Sequence, residues 1–349
     1  MKTISMLLLG AGLLQAADSL LVLSKGDLTL SIVDPATLKV IAKMPSGPDP
    51  HEVVASTDGK FAYISNYGGG AYNTITAVDL VAQKTISPPI DLGALRGPHG
   101  LMYVSGKVWF TAEAAKVIGS WDPATQKIDL VLGTGQNRTH MLYVFDDLKR
   151  IITSNVSSAS MTIIDKSAGG RGRGPGGPPP AGPGGPPPPG GRGPGGAPGG
   201  DWDETVIAVG RGAEGFDVAP GGKELWAANA TDGTISIVDL QAKKVIETLD
   251  ADVKSANRLK FTPDGKMVFV SVLNGPDVSV FDAATRKLKK KIPVGHGAAG
   301  IEMQPDGSRV YVACTPDSYV VVIDPNKLAQ ASHLDAGKNP DGMAWCRRP

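Results

Sequence analysis

The chain has 349 residues, with 35 basic and 34 acidic side chains and a formal charge of +1. This balance lacks the basic excess of proteins that bind nucleic acid or anionic membranes, so it gives no strong nucleic-acid footprint. The chain contains 45 Gly and 28 Pro, and this number requires many turns, a low-complexity segment or both.

Residues 1–17 are predicted to be a secretory signal peptide. Lys2 supplies a minimal basic start, residues 4–14 form a short apolar run, and Ala16 and Ala17 suit cleavage. The apolar run is too short to span a bilayer, and a first β-strand fits less well because the repeats described below begin only near Leu20. We therefore expect an exported protein, periplasmic or extracellular, without a transmembrane segment.

One unit recurs along the rest of the chain. It contains an apolar strand, an Asp-Gly turn, a second strand ending in small or polar residues, a third strand ending in Val-Asp or Ile-Asp, and a fourth strand. The aspartates that end the third strands are Asp34, Asp79, Asp122, Asp165, Asp239, Asp282 and Asp324. They are 42 to 45 residues apart except for one interval of 74. Seven units follow, and one of them carries an insertion.

Four short strands per unit of this length predict an all-β fold, a seven-bladed β-propeller over residues 18–349. The two ends of the chain complement each other. Residues 20–43 supply three strands of a blade, and residues 339–345 supply the missing one. We therefore expect the N- and C-terminal strands to close one blade, which removes the free edges of an open array.

The insertion in blade four, residues 169–200, contains only Gly, Pro, Arg and Ala. Such a composition buries no apolar surface, so the segment is predicted to be disordered with local polyproline II character. Two interpretations stay open. It is a solvated loop, or it tethers the protein to a partner or the cell wall through Arg171, Arg173 and Arg192.

Several stretches resemble the YVTN family of β-propeller repeats, also called YncE-like and related to WD40/YVTN-like folds. They are RVYVACTPDSYVVVIDPNKL, FAYISNYGGG and TISIVDLQAKKVIETL. The resemblance implies the propeller but no particular activity. At the level of the fold it extends to lactonase-like hydrolases, a streptogramin lyase and the propellers of nitrite, nitrous-oxide and methylamine-oxidising enzymes.

Aligning the units on the lysine of the Asp-Gly turn gives one equivalent position where the channel-lining strands begin. That position is occupied by Asp341, His51, His99, His140, Glu214, Asn257 and Ala299. Three of the five histidines of the chain therefore fall in consecutive blades. They could bind a divalent transition metal through His51, His99 and His140, bind a ligand without metal, or form a polar rim.

Further polar residues are predicted on the same rim. Arg96 and Arg138 precede two of the histidines, and Tyr67 and Tyr72 lie in a glycine-rich loop that either contacts a ligand or is a flexible hairpin. His296 could add a fourth imidazole. The other rim candidates are Asp49, Glu52 and Asn339, whereas His333 is expected on the outer surface.

Three functional hypotheses remain, and whether the protein is an enzyme is left open. The first is a monomeric exported binding or interaction propeller that takes a small-molecule ligand, a metal or a protein partner at this channel mouth. The second is a metal-assisted hydrolase or lyase, lactonase-like, with the three histidines as ligands and Glu214 as candidate catalytic base. The third is single-stranded nucleic-acid binding. Cys314 and Cys346 form a disulfide or are two buried thiols.

Overall fold

The computed structural model describes residues 17–167 and 202–349. Most of the predicted signal peptide and the segment predicted to be disordered lie outside these described residues. The described residues form seven four-stranded antiparallel sheets, and almost no helix. This confirms the seven-bladed β-propeller. Among the described residues, no helix is long and apolar enough to cross a bilayer.

Each blade runs from an inner strand, which lines the channel, to an outer strand. Blades one to four consist of the following strands: β28 (Pro340–Arg348), β1 (Ala17–Ser24), β2 (Thr29–Asp34), β3 (Lys39–Pro45); β4 (Pro50–Ala55), β5 (Phe61–Asn66), β6 (Thr74–Asp79), β7 (Lys84–Asp91); β8 (Pro98–Val104), β9 (Lys107–Ala112), β10 (Val117–Asp122), β11 (Lys127–Gly133); β12 (Thr139–Val144), β13 (Arg150–Asn155), β14 (Ser160–Lys166), β15 (Trp202–Ala208).

Blades five to seven follow the same order. Their strands are β16 (Ala213–Val218), β17 (Glu224–Asn229), β18 (Thr234–Asp239), β19 (Lys244–Asp250); β20 (Ala256–Phe261), β21 (Met267–Val272), β22 (Asp277–Asp282), β23 (Leu288–Pro293); β24 (Ala298–Met303), β25 (Val310–Cys314), β26 (Tyr319–Asp324), β27 (Ala329–Leu334). Among the described residues, two short 3₁₀ turns cover Gly68–Gly70 and Val156–Ser158.

The ring closes through the two ends of the chain, as the sequence predicts. The C-terminal strand β28 pairs with β1 from Ala17↔Arg348 to Ser24↔Pro340. On its other sides β28 contacts the neighbouring inner strands β24 and β4. Apolar residues of adjacent sheets interlock into clusters between the blades, so each blade is stabilised by both neighbours.

In most blades the aspartate that ends the third strand accepts a hydrogen bond from the turn amide two residues further on. Asp34 Oδ1 accepts a 2.8 Å hydrogen bond from Ala36 N, and Asp79 Oδ1 accepts one of 2.9 Å from Val81 N. Asp165 is different because the insertion follows it. Its carboxylate instead contacts Arg150 and Lys243, each at 2.6 Å. The two ends of the insertion are adjacent, since Lys166 pairs with Trp202.

All seven inner strands contain a β-bulge near the channel mouth. In blade two, for example, Pro50 pairs with Asn66 but Val53 pairs with Ile64, which leaves one extra residue on the inner strand. The same shift occurs in the other six blades. A bulge changes the direction of the side chains at that point of the strand. The side chain of the second residue of each inner strand therefore points in a different direction than it would in a regular strand.

A hydroxyl on the second strand holds the bulge in several blades. Thr111 Oγ1 accepts a 2.9 Å hydrogen bond from Gly100 N and donates one of 2.6 Å to His140 O in the next blade. Ser271 makes the same type of bridge to Ala299 O at 2.7 Å. These hydroxyls satisfy buried backbone groups that the bulge removes from the ladder, and they tie neighbouring inner strands together.

The two cysteines are free and buried. Cys314 belongs to the core of blades six and seven, whereas Cys346 belongs to the core of blades one and two. Burial raises the pKa of Cys314 to about 12 and that of Cys346 to about 11. The alternative of two buried thiols therefore describes the structure.

Candidate functional site at the channel mouth

The residues aligned in the sequence occupy one ring position, the second residue of each inner strand. We call this set the mouth ring: Asp341, His51, His99, His140, Glu214, Asn257 and Ala299. The bulges lie at this level of all seven strands. The mouth ring is thus the first layer of side chains at one end of the channel.

The three ring histidines form a continuous stack. The ring centroids of His51 and His99 are 4.3 Å apart, and those of His99 and His140 are 3.8 Å apart. Tyr67 packs against the stack, with its centroid 5.1 Å from His99 and 5.2 Å from His51. His99 and His140 are each only 1% exposed, whereas His51 is partly exposed, so the stack runs from the channel mouth into the buried interior.

The carboxylate at the centre of this cluster, Glu113, was missed in the sequence analysis. It is buried, and it accepts short hydrogen bonds from the Tyr67 hydroxyl and from His140 Nδ1. Glu113 is the first residue after the second strand of its blade, as Tyr67 and Lys25 are in theirs. Alignment of that position across blades would have revealed a second layer of mouth residues.

His140 lies between two carboxylates. Its Nδ1 faces Glu113, and its Nε2 is 3.0 Å from Glu214 Oε1. Burial opposes protonation, but the charges of Glu214 and Glu113 raise the pKa of His140 above its ordinary value. Burial also works to raise the pKa of Glu214, yet the facing charges of His140 and Arg138 hold that pKa at about 2. Glu214 is therefore an anion throughout the physiological range.

The other two imidazoles are held neutral. Burial and the neighbouring charge of His140 lower the pKa of His99 well below its ordinary value. Burial and the charge of Lys25 lower the pKa of His51 to about 3. The Lys25 ammonium donates to His51 Nδ1 at 2.5 Å and pairs with Asp49 at 3.0 Å and Asp341 at 3.4 Å. A nearby ammonium therefore occupies one nitrogen of His51.

Within the part of the chain that the structure describes, two buried nitrogens of the stack lack hydrogen-bond partners. They are His99 Nδ1 and His140 Nε2, the latter being close to Glu214 but not aligned for a hydrogen bond. One ligand atom from each of His99, Glu113 and His140 lies within 4.8 Å of the others. Among the described residues, no other group of three His, Cys, Asp or Glu side chains brings its ligand atoms this close together. Unpaired buried imidazole nitrogens are costly unless a ligand satisfies them.

The remaining predicted residues divide into those near the stack and those away from it. Arg138 bridges two carboxylates, 3.6 Å from Glu113 and 3.5 Å from Glu214. Asn257 lies on the ring in blade six, and Tyr72 is 42% exposed. The side chain of Arg96 has no hydrogen bond or ion pair within the described residues. His296 is exposed on Asp317, and His333 lies on the outer strand β27 against Tyr319.

A second layer lies below the mouth. One residue along the inner strands, Arg258 of blade six forms a short ion pair with Glu52 of blade two across the channel. Beneath this pair is a cavity of about 310 Å³ that Asp217, Lys260 and Glu302 line together with apolar residues. Burial raises the pKa of Glu302 to about 7, although the charge of Lys260 works in the opposite direction.

Sequence comparisons relate the chain to propeller proteins over part of its length. The family model described as "Cytochrome D1 heme domain" matches residues 198–301 and 226–343. These matches include Glu214 and Asn257 but none of His51, His99 and His140. Antigen Lp49 of Leptospira interrogans serogroup Icterohaemorrhagiae serovar copenhageni (strain Fiocruz L1-130) is 24% identical over 143 residues. That alignment covers 35% of this chain and 31% of the antigen, about a third of its length.

Solved structures resemble the whole ring. A functionally unknown protein from Desulfotomaculum acetoxidans DSM 771 has a TM-score of 0.69 and 11% identity, over 95% of this chain and 99% of that one. A putative 6-phosphogluconolactonase from Bacteroides fragilis NCTC 9343 has a TM-score of 0.69 and 13% identity, over 94% and 97%. Dihydro-heme d1 dehydrogenase NirN in complex with DHE has a TM-score of 0.61 and 14% identity, over 91% of this chain and 63% of that one. At these identities the likeness concerns the fold alone. This chain is a β-propeller protein.

Proposed function

We propose that this protein is an exported binding propeller of the YVTN type, and that its channel mouth binds one divalent transition-metal ion. The proposed ligands are His99, Glu113 and His140. The observation that carries the proposal is a pair of buried imidazole nitrogens that have no partner among the described residues and lie beside a buried carboxylate, with one ligand atom of each residue within 4.8 Å of the others. Two imidazoles and one carboxylate are a ligand set that zinc and related ions accept, with one position left for water or a ligand.

The proposal changes the ligand set that the sequence suggested. His51 is replaced by Glu113 because Lys25 already donates to His51 Nδ1. The short bond from His140 Nδ1 to Glu113 leaves Nε2 as the nitrogen of His140 that is free for an ion. Metal binding would require the Glu113 carboxylate to turn from this bond toward the ion.

A metal-assisted hydrolase or lyase is the second candidate. Glu214 lies 3.0 Å from His140 and is the carboxylate best placed to act on a molecule at the open position. However, its pKa of about 2 makes it a weak base near neutral pH. These electrostatics favour binding over proton abstraction. Single-stranded nucleic-acid binding receives no support at the mouth, where the cations Lys25 and Arg138 are already paired with carboxylates.

Metal analysis of the protein, purified without a histidine tag, tests the proposal. We expect one equivalent of a divalent transition metal, or a calorimetric signal for one equivalent of zinc added to metal-free protein. The substitution His99→Ala should weaken zinc binding at least 100-fold, and His333→Ala, on the outer strand, should leave it unchanged. Affinity should also fall as the pH drops, because ligating imidazoles must be neutral and His140, whose pKa is raised by Glu214 and Glu113, must lose its proton to bind the ion. Absence of metal and of heat with zinc, copper and nickel would reject a metal site.

A further inference from the structure

A groove of about 600 Å³ lies between blades two and three, away from the histidine stack. Its aromatic residues are Phe61 and Tyr63 from blade two and Tyr103 and Trp121 from blade three. Tyr63 and Tyr103 are stacked, with centroids 5.9 Å apart and planes 8° apart. Trp121 meets Tyr63 edge-on at 6.0 Å. Two blades together therefore build one continuous aromatic surface.

The polar groups of this aromatic surface are free. Three donors have no hydrogen-bond partner within the described residues: the hydroxyls of Tyr63 and Tyr103 and the indole Nε1 of Trp121. None of these atoms is completely buried. All three can donate to a molecule lying in the groove. Tyr63 is only 3% exposed, so the partly exposed rings of Tyr103 and Trp121 are the ones that an occupant would contact. Flat apolar rings with N–H and O–H donors suit a chain that presents its carbonyls for hydrogen bonds.

The outer strand of blade two departs from the repeat beside the groove. Between the pairs Ile75↔Ile90 and Ala77↔Ile86, β7 carries two residues more than β6, whereas in the other register shifts of outer strands only one is extra. The bulged residues include Pro88 and Pro89, which line the groove. This departure from the repeat is confined to the blade that supplies Tyr63.

The groove is also acidic. Asp58 and Asp91 lie on its rim. Asp58 is paired with Lys60 at 3.4 Å, but the carboxylate of Asp91 has no cationic partner within the described residues and accepts only from Asn73 Nδ2 and Gly93 N. An occupant with a positive charge near Asp91 would therefore be favoured.

We propose that this groove binds a proline-rich segment in the polyproline II conformation, and that the occupant is residues 169–200 of the same chain. Aromatic-lined grooves recognise this conformation because it is preformed and presents its carbonyls outward for hydrogen bonds. The segment contains PPPAGP and GPPPPGG, and its only charged residues are Arg171, Arg173 and Arg192. Its charge therefore complements that of Asp91.

The attachment points allow this arrangement. The segment leaves and re-enters blade four at the paired residues Lys166 and Trp202, in the connection between the third and fourth strands. The groove includes Pro123 and Gln126, from the same connection in blade three, which is the adjacent blade. The attachment points and this end of the groove therefore lie on the face opposite the mouth ring, and the groove extends from there along β7 to Asp91. Half of the segment, at about 3.1 Å per residue, spans about 50 Å, enough to reach the neighbouring blade.

The test is ¹⁹F NMR on the full chain, in which all five tryptophans are replaced by 5-fluorotryptophan. Trp121→Phe assigns the resonance of Trp121. Replacing the prolines at 178–180 and 186–189 by serine should shift this resonance and leave those of Trp109, Trp226 and Trp345 in place. A synthetic peptide of residues 174–194 should shift it back. The peptide should bind the serine variant at least 10-fold more tightly than the wild type, where the tethered segment competes.

A charge-matched set of variants checks the same contact. Asp91→Asn should weaken peptide binding about 3- to 10-fold, and a peptide with Gln in place of Arg192 should lose that dependence. An unchanged Trp121 resonance in the serine variant would overturn the proposal, even if the free peptide binds, because the groove would then serve proline-rich segments of other molecules. A wild-type resonance that changes with protein concentration would also overturn it, since the occupant would belong to a second copy.

Discussion

Two halves of the ring contribute differently to one channel. At the mouth ring, blades two, three and four supply His51, His99 and His140, whereas blades five, six and seven supply Glu214, Asn257 and Ala299. Three residues further along the same strands, the ionisable carboxyl and amino groups are all in the second half. There the first half supplies Val54, Met102 and Tyr143, and the second half supplies Asp217, Lys260 and Glu302.

The comparison shows that the backbone is periodic while the chemistry is not. Bulges and inter-strand connections recur in both halves, so the repeated sequence determines the ring. The residues proposed as metal ligands come from blades three and four at one end of the channel, and they lie outside the region that matches the heme-domain model. Function in such a fold is carried by particular side chains placed on a common scaffold.

Ring closure should have the largest effect, because both halves depend on it. Deleting residues 340–349 removes β28 and leaves β1, β4 and β24 without their partner. We expect the melting temperature, followed by circular dichroism, to fall by more than about 10 °C, or cooperative unfolding to be lost. An unchanged melting curve would show that the blades do not share stability around the ring.

Removing a buried cation should cost more than removing an exposed one. The Arg258 side chain is 9% exposed and pairs with Glu52 across the channel, whereas that of Arg138 is 41% exposed. Arg258→Met leaves the largely buried Glu52 anion without its partner and should lower the free energy of unfolding by about 3 kcal/mol. Arg138→Met should lower it by less than about 1 kcal/mol. Denaturant unfolding measures both, and equal losses would remove the distinction between mouth and inner channel.

Glu302, in the half of the ring formed by blades five to seven, should make the free energy of unfolding depend on pH. The pKa of Glu302 is about 7 in the folded chain and near 4.5 when unfolded, so the folded state holds its proton over that interval. The stabilisation is fully present below pH 4.5 and is lost as pH rises toward 7, by about 2 to 3 kcal/mol. Glu302→Gln should abolish this part of the profile in denaturant titrations. The exposed variant Glu247→Gln is the control, and identical profiles for all three proteins would contradict the assignment.

The smallest effect separates stability from binding. Thr111→Val and Ser271→Ala each remove one hydroxyl bridge between inner strands and should each cost about 1 to 2 kcal/mol of stability. Only Thr111 is bonded to the backbone of a proposed metal ligand, His140. Zinc calorimetry should therefore show weaker binding for Thr111→Val, about 3- to 10-fold, and unchanged binding for Ser271→Ala. If Thr111→Val and Ser271→Ala changed zinc affinity equally, the two halves of the ring would not contribute independently to zinc binding.

The sequence predicts the ring, the closing strand and the mouth positions because all three follow from local signals that recur every blade. Asp-Gly turns give the register, and the register places His51, His99 and His140 side by side. Glu113 was missed because only the strand starts, and not the strand ends, were aligned. The engagement of His51 by Lys25 and the groove of Tyr63 with Trp121 depend on contacts between blades, which the pattern within one repeat does not contain.

The central claim is that one divalent ion binds to His99, Glu113 and His140. Titration of the metal-free chain with Co²⁺, followed by visible absorption, tests it most directly because the ligand-field bands report both stoichiometry and ligand type. We predict saturation at one equivalent, displacement by zinc, at least 10-fold weaker binding in Glu113→Gln, and an unchanged titration in Asn257→Ala, the matched ring position of the other half. No ligand-field bands, or the same titration in Glu113→Gln as in the wild type, would contradict the account.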